Sequence, residues 1–461
     1  MLMEYRVDHD SLGEVKVPAD AYWGAQTQRA VENFPISGLH LQRSFIRAQA
    51  VVKRACAQAN AELGQLDEKI AQAIVQAADE VLSGKLLDQF VVDVYQAGAG
   101  TSQNMNANEV LANRAIELLG GQRGDYRLVH PNDHVNRGQS TNDTIPTAMH
   151  IAALQEITQE LLPALAELQE ALQAKADEFD EIIKSGRTHL QDAVPMRLGQ
   201  EFGAYARMIE LGQARLERAA DDLRELAIGG NAIGTGINTP EGYAERCVQQ
   251  INEVTQLDFR PAENRFEAIQ NRDAAVNVSG VLRTLTTSLT KIADDLRLLS
   301  SGPKTGLGEI QLPTVQPGSS IMPGKVNPVM AEMLNMVCFQ VLGHDLTVLR
   351  AGQAGQLELN VMMPVIAYNL LQEIEILTSG IRAFTVRCVR GIKANQATCR
   401  NYAESTPQVA TALSPYIGYE KAAELVKEAL RTNRPIREVV AEKKLLSAEK
   451  LEQALDLHRL T

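Results

Sequence analysis

A chain of 461 residues with 45% hydrophobic side chains can bury a large core and has room for roughly two to four domains. Only 4% of its residues are aromatic while Ala, Leu, Glu and Gln abound, which favours helices over sheets, because strands use β-branched and aromatic side chains to fill a pleated surface. The formal charge of -12 opposes general attraction to nucleic acid or to an anionic membrane, but leaves a small anionic ligand to be decided by a pocket's own charges.

Near the start, Val15 and Val17 suggest a short strand or extended arm and Pro18-Ala19-Asp20 a turn. From Ser44, read as an N-cap, Phe45, Val52, Cys56, Ala59 and Leu63 recur at helical spacing until Gly64. A second helix runs through Ile70, Ile74, Ala77 and Val81 and ends near Gly84. Gly98-Ala99-Gly100-Thr101-Ser102 has the look of a phosphate loop, yet it lacks the third glycine and the Lys-Ser/Thr ending. The amides Asn104, Asn106 and Asn108, with Glu109, suit capping and cross-linking of helices.

Between Gly120 and Asp143 the helical pattern gives way to Gly, Pro, Asn and Asp. This break divides an expected helical N-terminal domain (1–140) from an expected central helix bundle (141–395). At the junction, Gln139-Ser140-Thr141-Asn142 offers neutral donors and acceptors that can orient a polar ligand without adding charge. The same stretch can start a helix with Asn142 or Asp143 as cap, and the two duties can coexist.

Leu154, Ile157, Leu161, Leu165, Leu168, Leu172, Phe179 and Ile183 then follow threes and fours, predicting a helix of about forty residues and about 60 Å, kinked at Pro163. So long an apolar stripe needs partner helices. Further long helices are expected over 203–227, 276–300, 329–351 and 364–392, which completes a bundle. Gly229 to Gly236 is glycine-rich but follows a helix and not a strand, so it reads as a tight turn joining bundle helices. The last segment, 396–461, is broken at Ser414-Pro415, Asn433-Arg434-Pro435 and Ser447 and is expected to form a small helical C-terminal domain.

Among these helices one stretch stands apart as a candidate catalytic loop, residues 314–328, containing Pro317-Gly318-Ser319-Ser320-Ile321-Met322-Pro323-Gly324-Lys325-Val326-Asn327-Pro328. Gly318 and Gly324 let the backbone approach a ligand closely, and Asn327-Pro328 reads as N-cap and first residue of a helix. That places Lys325 and a helix N-terminus together where an anion would be attracted. The five cysteines are scattered, without zinc spacing, and read as buried small hydrophobes in a reducing compartment. With neither a charged-then-apolar leader nor an apolar run of membrane-spanning length, the expected location is the cytoplasm.

The loop resembles the GSSxMPxKxNP signature of the aspartase/fumarase superfamily. The resemblance extends along essentially the whole chain through Gly98 to Asn106, His130 to Asp133, Gln139 to Asp143 and Gly186 to Asp192. It implies an all-α, three-domain fold whose five long helices join those of other subunits in the twenty-helix core of a homotetramer, with active sites shared between subunits. The implied chemistry removes a proton beside one carboxylate of a succinyl group and expels an amine or a hydroxyl from the next carbon, giving fumarate with no metal or other cofactor. Ser319 then matches the base, and Lys325, Asn327, Thr188 and His189 match groups around the carboxylates, His189 also serving acid/base work in some members. Ala99 and Gly100, through backbone amides, and Thr101, through its hydroxyl, match carboxylate contacts. Ser140, Thr141, Asn142 and Ser320 match further substrate contacts, and Glu332 is expected to orient the cluster. His130-Pro131-Asn132-Asp133 resembles a peripheral dicarboxylate site. The residues expected to touch substrate lean toward ammonia loss from L-aspartate, with water loss from L-malate as the alternative and a non-catalytic helical scaffold as a third reading. The unusual Met363, where members carry Glu or Arg, departs from both activities.

Overall fold

The computed structural model describes residues 4–461. It opens with an antiparallel hairpin of β1 (Tyr5–Asp10) and β2 (Gly13–Pro18), in which Tyr5 faces Pro18. Helices α1 (Ala25–Asn33), α2 (Arg43–Glu62), α3 (Glu68–Leu82), α4 (Thr101–Leu118), α5 (Thr141–Glu156) and α6 (Leu162–Glu178) follow. A second hairpin, β3 (Ile183–Thr188) and β4 (Gln191–Arg197), leads into α7 (Leu198–Ala220). Next come β5 (Glu225–Leu226), α8 (Tyr243–Thr255), β6 (Arg260–Pro261), α9 (Arg265–Gln270) and α10 (Asp273–Leu299). After β7 (Ile310–Gln311) the chain runs through α11 (Val329–Gly352), α12 (Met363–Arg387) and β8 (Lys393–Ala394). It closes with α13 (Gln396–Ser405), α14 (Ser414–Ile417), α15 (Tyr419–Thr432), α16 (Ile436–Lys443) and α17 (Ala448–Ala454). Among the described residues strands pair only as two-stranded ribbons, so the architecture is all-α, as the composition favours.

Two compact units emerge, each discontinuous in sequence. The first takes Met1–Pro163, Ala214–Thr286 and Phe339–Thr378, the second Ala164–Gln213, Thr287–Cys338 and Ser379–Thr461. The expected domain boundaries after 140 and 395 both fall between elements, just ahead of α5 and α13.

In the first unit α2 packs against α3, α5 and α8, over a core that includes Ile74, Val110, Leu111, Ile116 and Val135. The helix begins at Arg43 behind Gln42, which makes no side-chain cap, so Ser44 lies inside its first turn instead of capping it. The buried carboxylate of Glu109 accepts from Gly24 N–H at 2.8 Å, Gln26 N–H at 2.9 Å, and Thr27 N–H and hydroxyl at 3.1 and 2.6 Å. It thereby caps α1, whose own cap residue Gly24 has no side chain to do so. Asn106 likewise ties Val91 N–H and Gln89 C=O, so these two residues do the cross-linking expected of buried amides.

The helix expected as one rod from Leu154 to Ile183 is interrupted by a wider π turn, Ile157–Leu161, closed by Leu162 N–H on Ile157 C=O. Pro163, which has no N–H to donate and whose ring crowds the preceding turn, accounts for that widening. The rod stops at Glu178, and Ile183 belongs to β3. The helix expected over 203–227 begins earlier and ends at Ala220. In the second unit Phe179 and Phe202 meet edge to face at 5.2 Å between centroids, and the C-terminal helices close over Leu413, Leu425, Ile436 and Leu451. Among the described residues no helix is long and apolar enough to cross a membrane.

Candidate active site

Residues of the first unit gather two of the sequence motifs. Gly98–Gly100 makes a tight turn into α4 with Ala99 at φ +63° and Gly100 at φ +86°. Ala99 N–H is bonded to Val361 C=O at 2.7 Å and Gly100 N–H to Ala97 C=O at 3.2 Å, so the two amides expected as ligand donors are already engaged. The turn instead delivers Thr101, the exposed first residue of α4, whose hydroxyl has only a 3.4 Å bond to Gly98 C=O.

Across from it, Ser140 caps α5 by accepting from Asn142 N–H, and Asp143 returns the bond to Ser140 N–H at 2.9 Å, which completes a capping box. The cap residue is therefore Ser140, not Asn142 or Asp143. The fully buried Asp143 carboxylate also accepts from Gly229 N–H at 3.1 Å and Asn231 N–H at 2.9 Å, and the Asn142 side-chain N–H₂ donates to Ala232 C=O at 2.8 Å. The glycine-rich stretch from Gly229 is thus a support clamped to the start of α5, beyond its service as a turn. Its backbone N–H groups hold the Asp143 carboxylate where a phosphate loop would hold a ligand phosphate.

Asn104 of α4 donates to Thr141 Oγ1 at 3.2 Å and to Asn136 Oδ1 at 3.1 Å, linking Thr101's helix to Thr141's. Behind them lies Lys53 of α2, with Nζ 2.9 Å from Asn136 Oδ1 and 2.8 Å from Gln139 Oε1. Burial pushes the Lys53 ammonium down to about 7 and the Asp143 carboxyl up to about 7. Sequence reading missed this lysine. Its signal was there: Gln49, Lys53 and Asn60 fall on one side of an alanine-rich helix, with spacings of four and seven.

In the second unit the loop folds back on itself. Gly318 N–H donates to Lys325 C=O at 2.8 Å, and the Asn327 side chain donates to Gly318 C=O at 2.7 Å. A Cβ at Gly318 would stand 2.2 Å from Lys325 O, which is why glycine is required there. The carbonyl of Pro328 accepts from Glu332 N–H at 3.1 Å, so Pro328 occupies the cap position and Asn327 staples the loop closed instead of capping α11. Ser319 Oγ accepts from Ile321 N–H at 3.2 Å and Met322 N–H at 3.0 Å. Ser320 and Lys325 are exposed, and Glu332 is half-buried in the first turn of α11.

Thr188 and His189 lie at the tip of the β3–β4 hairpin, both exposed, with His189 at φ +56° and Leu190 at φ +59°. These left-handed angles, usually given to Asn-Gly, make a two-residue turn that costs each bulky side chain on the order of 1–2 kcal/mol. A strained histidine held outward is a reason to look for function there. The hairpin base is firm. Buried Lys184 reaches Glu201 at 2.6 Å and Glu309 at 3.1 Å, Arg187 reaches Glu309 at 2.9 Å, and Glu309 immediately precedes β7 and the loop. Among the described residues no hydrogen bond joins the hairpin tip to the loop.

The remaining motif has a local explanation. His130 Nδ1 accepts from Asn132 N–H and Asp133 N–H, each at 3.2 Å, capping the short π turn Pro131–Val135. A cleft of about 1060 Å³ in the second unit, near Ile183, Arg400, Glu404, Arg437 and Glu452, contains none of the sequence-predicted site residues. Among the described residues no group of three or more His, Cys, Asp or Glu is arranged to hold a metal ion.

The geometry is that of a helical scaffold presenting small polar groups, a glycine-rich serine loop and an exposed histidine. Residues 13–343 match the family described as Lyase, and residues 409–461 that described as Fumarase C C-terminus. The chain is 49% identical to aspartate ammonia-lyase of Bacillus subtilis over 99% of this chain and 96% of that one. It is 54% identical to fumarate hydratase class II of Halobacterium salinarum over 100% and 98%. The crystal structure of class II fumarase from Schistosoma mansoni superposes with a TM-score of 0.96 at 40% identity, covering 99% of each chain. The chain belongs to the aspartase/fumarase superfamily and is a lyase of that family.

Proposed function

We propose that this lyase catalyses the reversible elimination of ammonia from L-aspartate to give fumarate. The observation that carries the choice of leaving group is Asn142. One N–H of its side-chain amide donates to Ala232 C=O at 2.8 Å, which fixes the amide's orientation and leaves its oxygen to accept. An ammonium has three hydrogens to donate and nothing to accept with, so it draws on such an oxygen more than a hydroxyl, which can also accept.

Ser319 serves as the base. In its alkoxide form it takes the proton from the carbon beside one carboxylate, and the electron pair spreads into that carboxylate as an enediolate. The C–N bond then breaks, ammonia leaves and the C=C bond of fumarate forms. A serine hydroxyl is a poor base unless its anion is stabilised, and the N–H groups of Ile321 and Met322 aimed at Oγ supply that. Lys325, the second side-chain N–H of Asn327, Ser320, Thr188 and His189 surround one substrate carboxylate, with Thr101, Ser140 and Thr141 around the other and Glu332 orienting the loop cluster.

Because these groups are displayed on open surfaces, we also propose a homotetramer with sites shared between subunits. Supporting it is an apolar stripe on α11, where Met336, Phe339, Leu342, Leu346 and Leu349 are 64, 59, 40, 56 and 38% exposed. The five free, buried cysteines agree with a cytoplasmic location.

A second reading, water loss from L-malate, is favoured by the 54% identity to a protein named fumarate hydratase class II. The deciding experiment follows fumarate formation from L-aspartate and from L-malate with one purified sample. Turnover of aspartate is expected, and turnover of malate alone would overturn the choice. In the same assay Ser319→Ala should lower kcat by about 100-fold or more with little change in dicarboxylate binding, whereas Lys325→Ala should damage both. Equal losses in binding and turnover for Ser319→Ala would remove it as the base.

A further inference from the structure

Lys53 is a fully buried cation with no carboxylate in ion-pair contact among the described residues. Its ammonium is held by two amide oxygens, those of Asn136 and Gln139. Asp143 feels it electrostatically but takes its own bonds from Ser140, Gly229 and Asn231 N–H. Asn136 Oδ1 is the meeting point: it receives Lys53 Nζ at 2.9 Å, Asn104 Nδ2 at 3.1 Å and Asn108 Nδ2 at 3.2 Å. Packing alone would be served by methionine, without the cost of burying a charge.

We infer that Lys53 is a positioning residue which, through Asn136 and Asn104, holds the Thr141 hydroxyl as a hydrogen-bond donor toward the carboxylate of the substrate. The inference rests on the dicarboxylate-lyase reading of the site but not on which leaving group departs. Its logic is one of forced polarity. Nζ shares its hydrogens between two amide oxygens and so donates whether charged or neutral, which turns the oxygen of Asn136, and not its N–H₂, toward Lys53. Asn104 must then offer its N–H₂ to that oxygen, and the other hydrogen of the same N–H₂ goes to Thr141 Oγ1 at 3.2 Å. With its oxygen already accepting, Thr141 has its own hydrogen left to give. Take away the ammonium and only the longer bonds of Asn136 N–H₂ to Gln139 C=O at 3.2 Å and of Thr144 Oγ1 to Asn104 Oδ1 at 3.3 Å still oppose a flip of the two amides, after which Thr141 can spend its hydrogen on Asn104 and meet the substrate with lone pairs. The neighbouring candidates Thr101, Ser140 and Asn142 are neutral, so the polarity of this end of the site is set from behind, by a charge that never touches the ligand.

The test is a double-mutant cycle between Lys53→Met and Thr141→Val, read as kcat and KM with whichever C4 dicarboxylate the parent enzyme turns over. Lys53→Met, with the parent's circular dichroism and oligomeric mass, should raise KM about tenfold or more while kcat falls less, because the contact exists in ground and transition states alike. The double variant should be no worse than Thr141→Val alone. An unchanged KM in Lys53→Met, or losses that multiply in the double variant, overturns the inference while the lyase reading survives. A parent with neither turnover nor dicarboxylate binding overturns that reading and this inference with it. Should Lys53→Met fail to fold, Asn104→Ala cuts the relay with the lysine in place. Its loss must likewise vanish on the Thr141→Val background, and additive losses sink the proposal.

Discussion

One serine hydroxyl in the bundle of the first unit is asked to bond two carboxyl groups. Ser279 Oγ of α10 lies 2.9 Å from Asp345 Oδ1 of α11 and 2.9 Å from Glu373 Oε1 of α12, all buried, while Arg283 pairs with Asp345 at 2.9 Å. A hydroxyl has a single hydrogen, so one carboxyl must be protonated and donate. Glu373 is that group: burial, with the Asp345 charge added, pushes it from 4.5 to about 9. Between those values the folded chain holds a proton that the unfolded chain has released, so this group's contribution to stability falls as pH rises through the window. Glu373→Gln keeps a donor for Ser279 and removes the titration. Its stability relative to the parent should therefore climb from pH 5 to pH 8, by up to about 1.4 kcal/mol per pH unit in each chain, and its melting temperature with it. A constant difference across that range, measured by thermal unfolding, would show that Glu373 is ionised in the fold. Lys53 and Glu373 share a lesson: each stands at a helical position where an apolar residue would suit the pattern, and only the partners brought by folding say whether it is a solvated edge or a buried bond.

At the scale of elements, the long helices were legible because their apolar residues repeat with the helical period over many turns; the expected span 329–351 meets α11 at Val329–Gly352 and 276–300 meets α10 at Asp273–Leu299. The β3–β4 hairpin was not legible. The buried positions of β3 are Lys184, Ser185 and Gly186, which show no apolar alternation, and Ile183 happens to continue the spacing of the preceding helix. What holds the hairpin is ionic: Lys184 and Arg187 on Glu309, the residue that opens the path to the serine loop. Glu309 also accepts Asn395 N–H at 2.8 Å through its carbonyl, in line with the β7–β8 pairing. Glu309→Ala leaves Lys184 with only Glu201 and Arg187 without its carboxylate, and should be destabilising by less than the about 3–5 kcal/mol of a buried charge left wholly unpaired. Denaturant unfolding measures the loss. Limited proteolysis should show new cleavage both near His189 and between Ser319 and Lys325, because one carboxylate anchors the roots of both segments. New cleavage at only one of them would mean that the hairpin and the loop are held independently.

For the whole molecule the question is how so open a surface could handle a weak carbon acid. Ser320, Lys325, Thr188 and His189 are all exposed in the single chain, whereas the chemistry needs a dry, preorganised set of donors. The apolar stripe of α11 offers the means, because helices of other copies packed against it would bury Met336, Phe339 and Leu346 and bring further surfaces over the loop. Phe339→Glu should then reduce the oligomeric mass seen by sedimentation while helical circular dichroism persists, and activity should fall with the mass. A stronger test asks whether one site draws on several chains. Thr101→Ala and Ser319→Ala are each expected to be inactive alone. When differently tagged samples are mixed and allowed to exchange subunits, a site regains both groups if its Ser319 comes from a Thr101→Ala chain and its Thr101 from a Ser319→Ala chain. Random assortment at equal amounts makes that combination about one site in four, so about a quarter of the parent activity should return. If both groups of every site came from the same chain, mixing would restore nothing. Co-purification of the two tags establishes that exchange has occurred, and exchange without recovery would show that each chain builds its site alone.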